Sequence, residues 1–174
     1  AVLSTLTPRS GTRRVFVGHG QVDSLAPDHS QPGVIALAAL EEALADGRVD
    51  YVALGDRHSA TRVGNSDRVW YAGAPLATDF DETDPNHCLL VDLDTTGVTP
   101  LACGDWQFLA TQQEINEGAD VRRFRDWLDA IPGKARTVVK VGFTGTVSLA
   151  TAAELDACMD SAADAFASLR RRAR

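Results

Sequence analysis

Three side chains of metal-ligating type follow two short apolar runs. His19 stands between two glycines after Arg14–Gly18 (RVFVG), and Asp56 and His58 follow Asp50–Gly55 (DYVALG). Imidazole together with carboxylate suits a divalent first-row ion. Glycines on both sides of His19, and one before Asp56, let the backbone turn sharply and admit a ligand closely. Each histidine taken alone also fits a hydrogen-bonded loop residue, because short motifs of this kind have low specificity. The metal reading gains weight only if the three groups share one place in the fold.

The elements between them predict that they do. RVFVG and DYVALG read as buried strands. Between them, Val34, Leu37, Ala38, Leu40 and Leu44 recur at helical spacing over Val34–Asp46, and Gly47 supplies the stop. Strand, helix, strand is a βαβ unit with parallel strands. Both strands then end at the same sheet edge, where open α/β sheets bind ligands. The intervening polar loop, Gln21–Pro32, carries His29, read as solvated, and Asp23 and Asp28, read as caps or turn formers.

Beyond His58 the pattern changes. Arg68–Tyr71, Cys88–Leu93 and Val98–Ala102 are short strands divided by turn signals and predict an antiparallel meander, with Trp106–Ala110 as its continuation. Residues 106–174 read as strand, helix, strand, helix. Val121, Phe124, Leu128 and Ile131 mark the first helix over Ala119–Ile131, ended by Pro132-Gly133. Arg136–Thr144 is the strand, with Val138, Lys140 and Gly142 on one side. Thr151 and Glu154 have capping-box spacing. Leu155, Met159, Ala162, Phe166 and Leu169 predict a helix running to the C-terminus.

Composition bounds the function. The 174 residues are 44% hydrophobic and 24% charged, with a net charge of −7, so the chain buries a core and is not disordered. The acidic balance excludes a general nucleic-acid coat, although not an enzyme that meets DNA through a local patch or a metal. No apolar run approaches the ~18 residues of a membrane span, and Ala1–Ser10 lacks the basic start and apolar block of a secretory signal. Three dispersed cysteines, Cys88, Cys103 and Cys158, predict a reducing, cytoplasmic compartment and buried thiols. Asp79, Asp81, Glu82 and Asp84 read as a solvated acidic turn. Trp70, Tyr71 and Phe80 read as core, with a nucleic-acid stacking surface as the alternative. Arg170, Arg171, Arg172 and Arg174 form a basic end that complements a helix C-terminus or leads to a partner.

Four blocks carry a family resemblance: VFVGHG (Val15–Gly20), DYVALGDRH (Asp50–His58), RVWYAGAPLATDFDE (Arg68–Glu82) and HCLLVDLD (His87–Asp94). In order and spacing Val15–Leu93 resembles the second half of the calcineurin-like metallophosphoesterases and is most similar to the SbcD-type DNA repair exonucleases. Gly73–Pro75 with the acidic-aromatic stretch after it is fairly specific to that branch, and the segment from Trp106 resembles its capping appendage more loosely. The resemblance implies an α/β fold: the C-terminal half of a metallophosphoesterase sandwich (βαβ plus antiparallel meander) over residues 1–105, followed by a small α+β capping module over 106–174.

It also implies a metal-dependent DNA exonuclease or phosphodiesterase acting in DNA repair, with two divalent ions, Mn²⁺ or Mg²⁺. His19 matches a ligand of the second metal. Gly55 and His58 match the first and last positions of the family's Gly-His-x-His motif, which makes His58 a ligand of the first metal. Asp56 stands where the family has His, a departure that puts the second metal's affinity in doubt. The family's upstream motifs (Asp-x-His, Gly-Asp and Gly-Asn-His) find no match. Asp56-Arg57-His58 with Asn86-His87 mimics them, but Asn86-His87 opens an antiparallel strand and no Gly-Asp lies between. The expectation is therefore a C-terminal part of a longer protein, inactive by itself. Expected partners are DNA, an SbcC-type ATPase and a second copy of the protein, with no membrane. A phosphoesterase for small phosphate esters and a non-catalytic scaffold for the ATPase are the alternatives.

Overall fold

A computed structural model describes residues 2–26, 28 and 33–172. His29 and Arg174 lie outside the described residues. The fold is mixed α/β, and two compact units divide the chain, Ala1–Gly104 and Asp105–Arg174.

In the first unit, β1 (Val15–His19) and β2 (Tyr51–Gly55) run parallel, joined through α1 (Leu37–Ala45). The expected βαβ unit is present, with a later helix start. Ile35 is drawn into an extended bridge with Val22, and its N–H donates to the Gln21 carbonyl at 2.8 Å. Ala36 then occupies the N-cap without a side-chain acceptor. The Asp23 carboxylate, accepting from the Leu37 N–H at 3.2 Å, satisfies an amide that α1 leaves open. Gly47, at φ 70°, takes the left-handed position that ends the helix. Leu40, Ala43 and Leu44 of α1 pack with Val22, Val49, Val52, Leu54 and Val69 in one core.

The meander is corrected. β4 (Val69–Tyr71) pairs parallel to β2, and β3 (Thr61–Val63), which the sequence reading missed, pairs antiparallel to β4. The sheet order is β1-β2-β4-β3. Val69 and Tyr71 are buried, so β4 extends the parallel sheet over the same core, and the Gly64-Asn65 turn folds β3 back on it. Among the described residues, only β5 (His87–Asp92) and β6 (Gly97–Ala102) form an antiparallel pair by themselves.

The second unit alternates strand and helix: β7 (Gln107–Glu114), α2 (Gly118–Ala130), β8 (Thr137–Thr144), α3 (Leu149–Ala163) and β9 (Ser168–Arg171). Its three strands are all parallel in the order β7-β8-β9, so the α+β expectation is corrected to an alternating α/β arrangement. Trp106–Ala110 belongs to this sheet through β7, not to a meander. Phe124 lies between Trp127, stacked at 6.0 Å, and Phe143, edge-on at 5.3 Å, in a core that also holds Val139, Val141, Leu155 and Met159. The C-terminal helix stops at Ala163. Leu169 pairs with Val139 across the ladder, so Arg170 and Arg171 sit on a strand and not at a helix end. Ser148, not Thr151, caps α3, accepting from the Thr151 N–H at 3.1 Å. The reciprocal capping box is on α2, between Glu117 and Asp120.

Candidate functional site

The ladder between β1 and β2 ends with His19 opposite Gly55. The Gly20 N–H continues it to the Gly55 carbonyl at 3.3 Å, which ties the two strand tips together. A side chain at Gly55 would place its Cβ 2.8 Å from His19 Nδ1, so the glycine leaves the space the imidazole occupies. Beyond it, His19 Nε2 lies 3.8 Å from Asp56 Oδ1. The His19 side chain is 78% exposed and that of Asp56 36%, so both donors face solvent at the sheet edge.

Asp56 sits at φ 107°, a conformation that side chains other than glycine rarely adopt. Such strain costs on the order of 1–3 kcal/mol and persists where the surroundings over-determine it. Nearby, Tyr71 holds the turn after β1. Its hydroxyl donates to the Gly20 carbonyl at 2.8 Å and accepts from the buried Val22 N–H at 2.9 Å. Burial raises the Tyr71 phenol above its usual value.

His58 is organised differently. Its Nδ1 lies 3.0 Å from Glu82 Oε1 and 2.9 Å from Thr78 Oγ1. The Glu82 side chain is only 5% exposed. Burial pushes its carboxyl up, but the Thr78 hydroxyl, the Thr78 and Asp79 N–H groups and His58 together outweigh this and hold it below the ordinary value. An ionised carboxylate only accepts hydrogen bonds. The proton between Glu82 and His58 therefore belongs to Nδ1, which in the neutral tautomer puts the lone pair on Nε2. Fixing one ring nitrogen through a carboxylate in this way is how proteins present the other nitrogen to a metal or a proton.

The three predicted residues thus fall into two groups: His19 with Asp56, and His58 with Glu82 and Thr78. Among the described residues, no three His, Cys, Asp or Glu side chains are arranged to hold a metal ion. Glu82 corrects the solvated-turn reading: Asp79, Asp81 and Asp84 are exposed, whereas its own side chain turns inward. Its 24-residue separation from His58 left no local signal. Asn86-His87 does open the antiparallel strand β5, with His87 Nδ1 bonded to the Pro85 carbonyl at 2.8 Å. Tyr71 is core, and Trp70 is half-buried, its Nε1–H donating to the Asp67 carbonyl at 2.9 Å. Cys88 and Cys103 are exposed, against the expectation of buried thiols, because the outer face of the β5–β6 hairpin is open; Cys158 is buried. No protein-family model matches the chain, and no curated protein matches it.

Proposed function

We propose that the chain contributes to a metal-dependent phosphodiesterase that cleaves DNA, with His19 and Asp56 as donors to one divalent ion and His58 Nε2 as donor to another. The observation that carries this reading is the meeting of an imidazole and a carboxylate at 3.8 Å, both exposed, on the tips of two adjacent parallel strands. The carboxylate fits Mn²⁺ or Mg²⁺, and the imidazoles favour the first-row ion, Mn²⁺, of the two. These ions fill about six positions, so the reading assigns the remaining ligands to groups other than these three. It also takes the metallophosphoesterase half-fold as the architecture, DNA as substrate and an SbcC-type ATPase and a second copy as partners, on the family resemblance of the four sequence blocks.

In this reading Gly55 leaves room for the His19 ring, the strained Asp56 turns its carboxylate toward it, and Glu82 fixes the tautomer of His58. A bound divalent ion supplies Lewis-acid polarisation of a phosphate oxygen and a water acidic enough to attack at neutral pH. Paramagnetic Mn²⁺, added in small amounts to the isotopically labelled chain, tests the assignment through nuclear relaxation. Resonances of His19, Asp56 and His58 should broaden before those of His87, which lies on the antiparallel hairpin. Uniform broadening, or broadening centred on His87, would overturn it.

A further inference from the structure

Two of the three cysteines stand together on the β5–β6 hairpin. The ladder places Cys88 opposite Leu101 and His87 opposite Ala102. It runs one step further, because the Cys103 N–H donates to the Asn86 carbonyl at 2.8 Å. Side chains alternate along a strand, and directly opposed residues share a face. Cys88, Leu101 and Cys103 therefore project from the same face, with the two thiols as diagonal neighbours. The Cys103 Sγ lies over this end of the ladder, 3.5 Å from the Asn86 carbonyl. Both residues are exposed, as is Leu101 at 42%. Cys158, by contrast, is 2% exposed in the core of the other unit.

We propose that Cys88 and Cys103 are a redox-sensitive pair that a hydroperoxide closes into an intrachain disulfide. The Cys88 thiolate attacks one peroxide oxygen; the O–O bond breaks, the departing hydroxide is protonated to water, and Cys88 becomes a sulfenic acid. The Cys103 sulfur then attacks the Cys88 sulfur, the S–O bond breaks and a second water leaves. Two thiols lose two hydrogens and two electrons, and one hydrogen peroxide is reduced to two waters. The order of attack follows from the surroundings of Cys103. Desolvation, and then the neighbouring Cys88, hold its thiol above the ordinary value, and its Sγ is engaged with the Pro75 carbonyl at 3.3 Å. Cys103 is thus the resolving thiol.

The test uses the reduced full chain, dilute, treated with stoichiometric hydrogen peroxide and then alkylated. Expected are the loss of two free thiols and two hydrogens in mass, a chain that stays monomeric, and full reversal by dithiothreitol. Digestion at aspartate separates the cysteines, because Asp92 and Asp94 lie between them, so the linked fragments identify the bond while Cys158 is recovered alkylated. Cys103→Ser should stop at a sulfenic acid on Cys88 that dimedone traps. Three alkylatable thiols after peroxide, disulfides between chains, or sulfinic acid on unlinked cysteines would each overturn the proposal. The wild-type mass and fragment map decide the matter even if a serine variant fails to fold.

Discussion

Tyr71→Phe removes one oxygen and tests how the turn beside His19 is held. That oxygen donates to the Gly20 carbonyl at 2.8 Å and accepts from the Val22 N–H at 2.9 Å. Tyr71 is 1% exposed and Val22 0%, so no solvent path replaces the lost acceptor. Gly20 is half-buried, and water satisfies its carbonyl at little cost. The loss is therefore dominated by one orphaned buried N–H, worth about 1–3 kcal/mol. The ring still fills its place in the core, so no cavity term is added. The unit Ala1–Gly104 should lose about 2 kcal/mol, which at ~1.4 kcal/mol per tenfold is roughly a thirtyfold gain in the rate at which the Val22 amide exchanges. Hydrogen–deuterium exchange reads this amide directly, apart from the second unit. A change under about 0.5 kcal/mol with Val22 protection intact would refute the reasoning, because a surface-like loss of this kind means the hydroxyl holds nothing there.

Three further outcomes follow from the same unit. Tyr51 is buried, and burial pushes its phenol up to about 12. The unfolded chain ionises near pH 10 while the folded one keeps its proton, so the stability is whole below about pH 10 and falls as pH rises toward the folded value. Tyr51→Phe should flatten this alkaline loss in urea unfolding at a series of pH values. Glu82 has the opposite sign: its folded carboxyl lies below the ordinary value, so its contribution is present above the unfolded pKa and disappears as pH falls through the folded one. Glu82→Gln should lower stability at neutral pH, flatten the acid limb, and shift the His58 ring resonances as the tautomer loses its anchor. Asp56, at φ 107°, should be relieved by glycine and not by alanine. Asp56→Gly is expected to be about 1 kcal/mol more stable than Asp56→Ala, measured by the same unfolding; equal stabilities would mean the backbone stores no strain.

What could be read from the sequence depended on how local each cause was. The β1-α1-β2 unit was legible because apolar runs, helical spacing and Gly47 all point the same way, and a parallel crossover then brings His19 and Asp56 to one sheet edge; the register of His19 opposite Gly55 is set by the structure. β4 was misplaced because three residues, Val69–Tyr71, contain no record of their neighbour. The choice between β2 and a meander partner is made by the core under Val69 and Tyr71, not by the strand itself. The last helix was read too long for a related reason. Phe166 and Leu169 continue the 3.6-residue spacing beyond Ala163, and neither Gly nor Pro marks the stop; pairing with Val139 decides the conformation. Cys88 opens a continuous apolar run through Val91, as a core strand would, yet one face of that hairpin stays open, and the apolar pattern alone does not say which.

The candidate site divides along the same line. His19 and Asp56 lie on neighbouring strand tips, which topology brings to one edge; the register and the turn at Asp56 then set the 3.8 Å between them. His58 is only two residues beyond Asp56, but its environment comes from Glu82 and Thr78, delivered by a loop that no propensity predicts. In an acidic run of four, a single inward carboxylate looks like its three solvated neighbours until its hydrogen-bond partners are known. Glu82 receives bonds from the Thr78 hydroxyl, the Thr78 N–H and His58, and this convergence keeps it ionised while its side chain is 5% exposed. An unpaired carboxylate at that depth would instead take up a proton, and His58 would lose the acceptor that directs its lone pair to Nε2. The loop is therefore part of the site's chemistry, and its register is as consequential for His58 as the strand that precedes it.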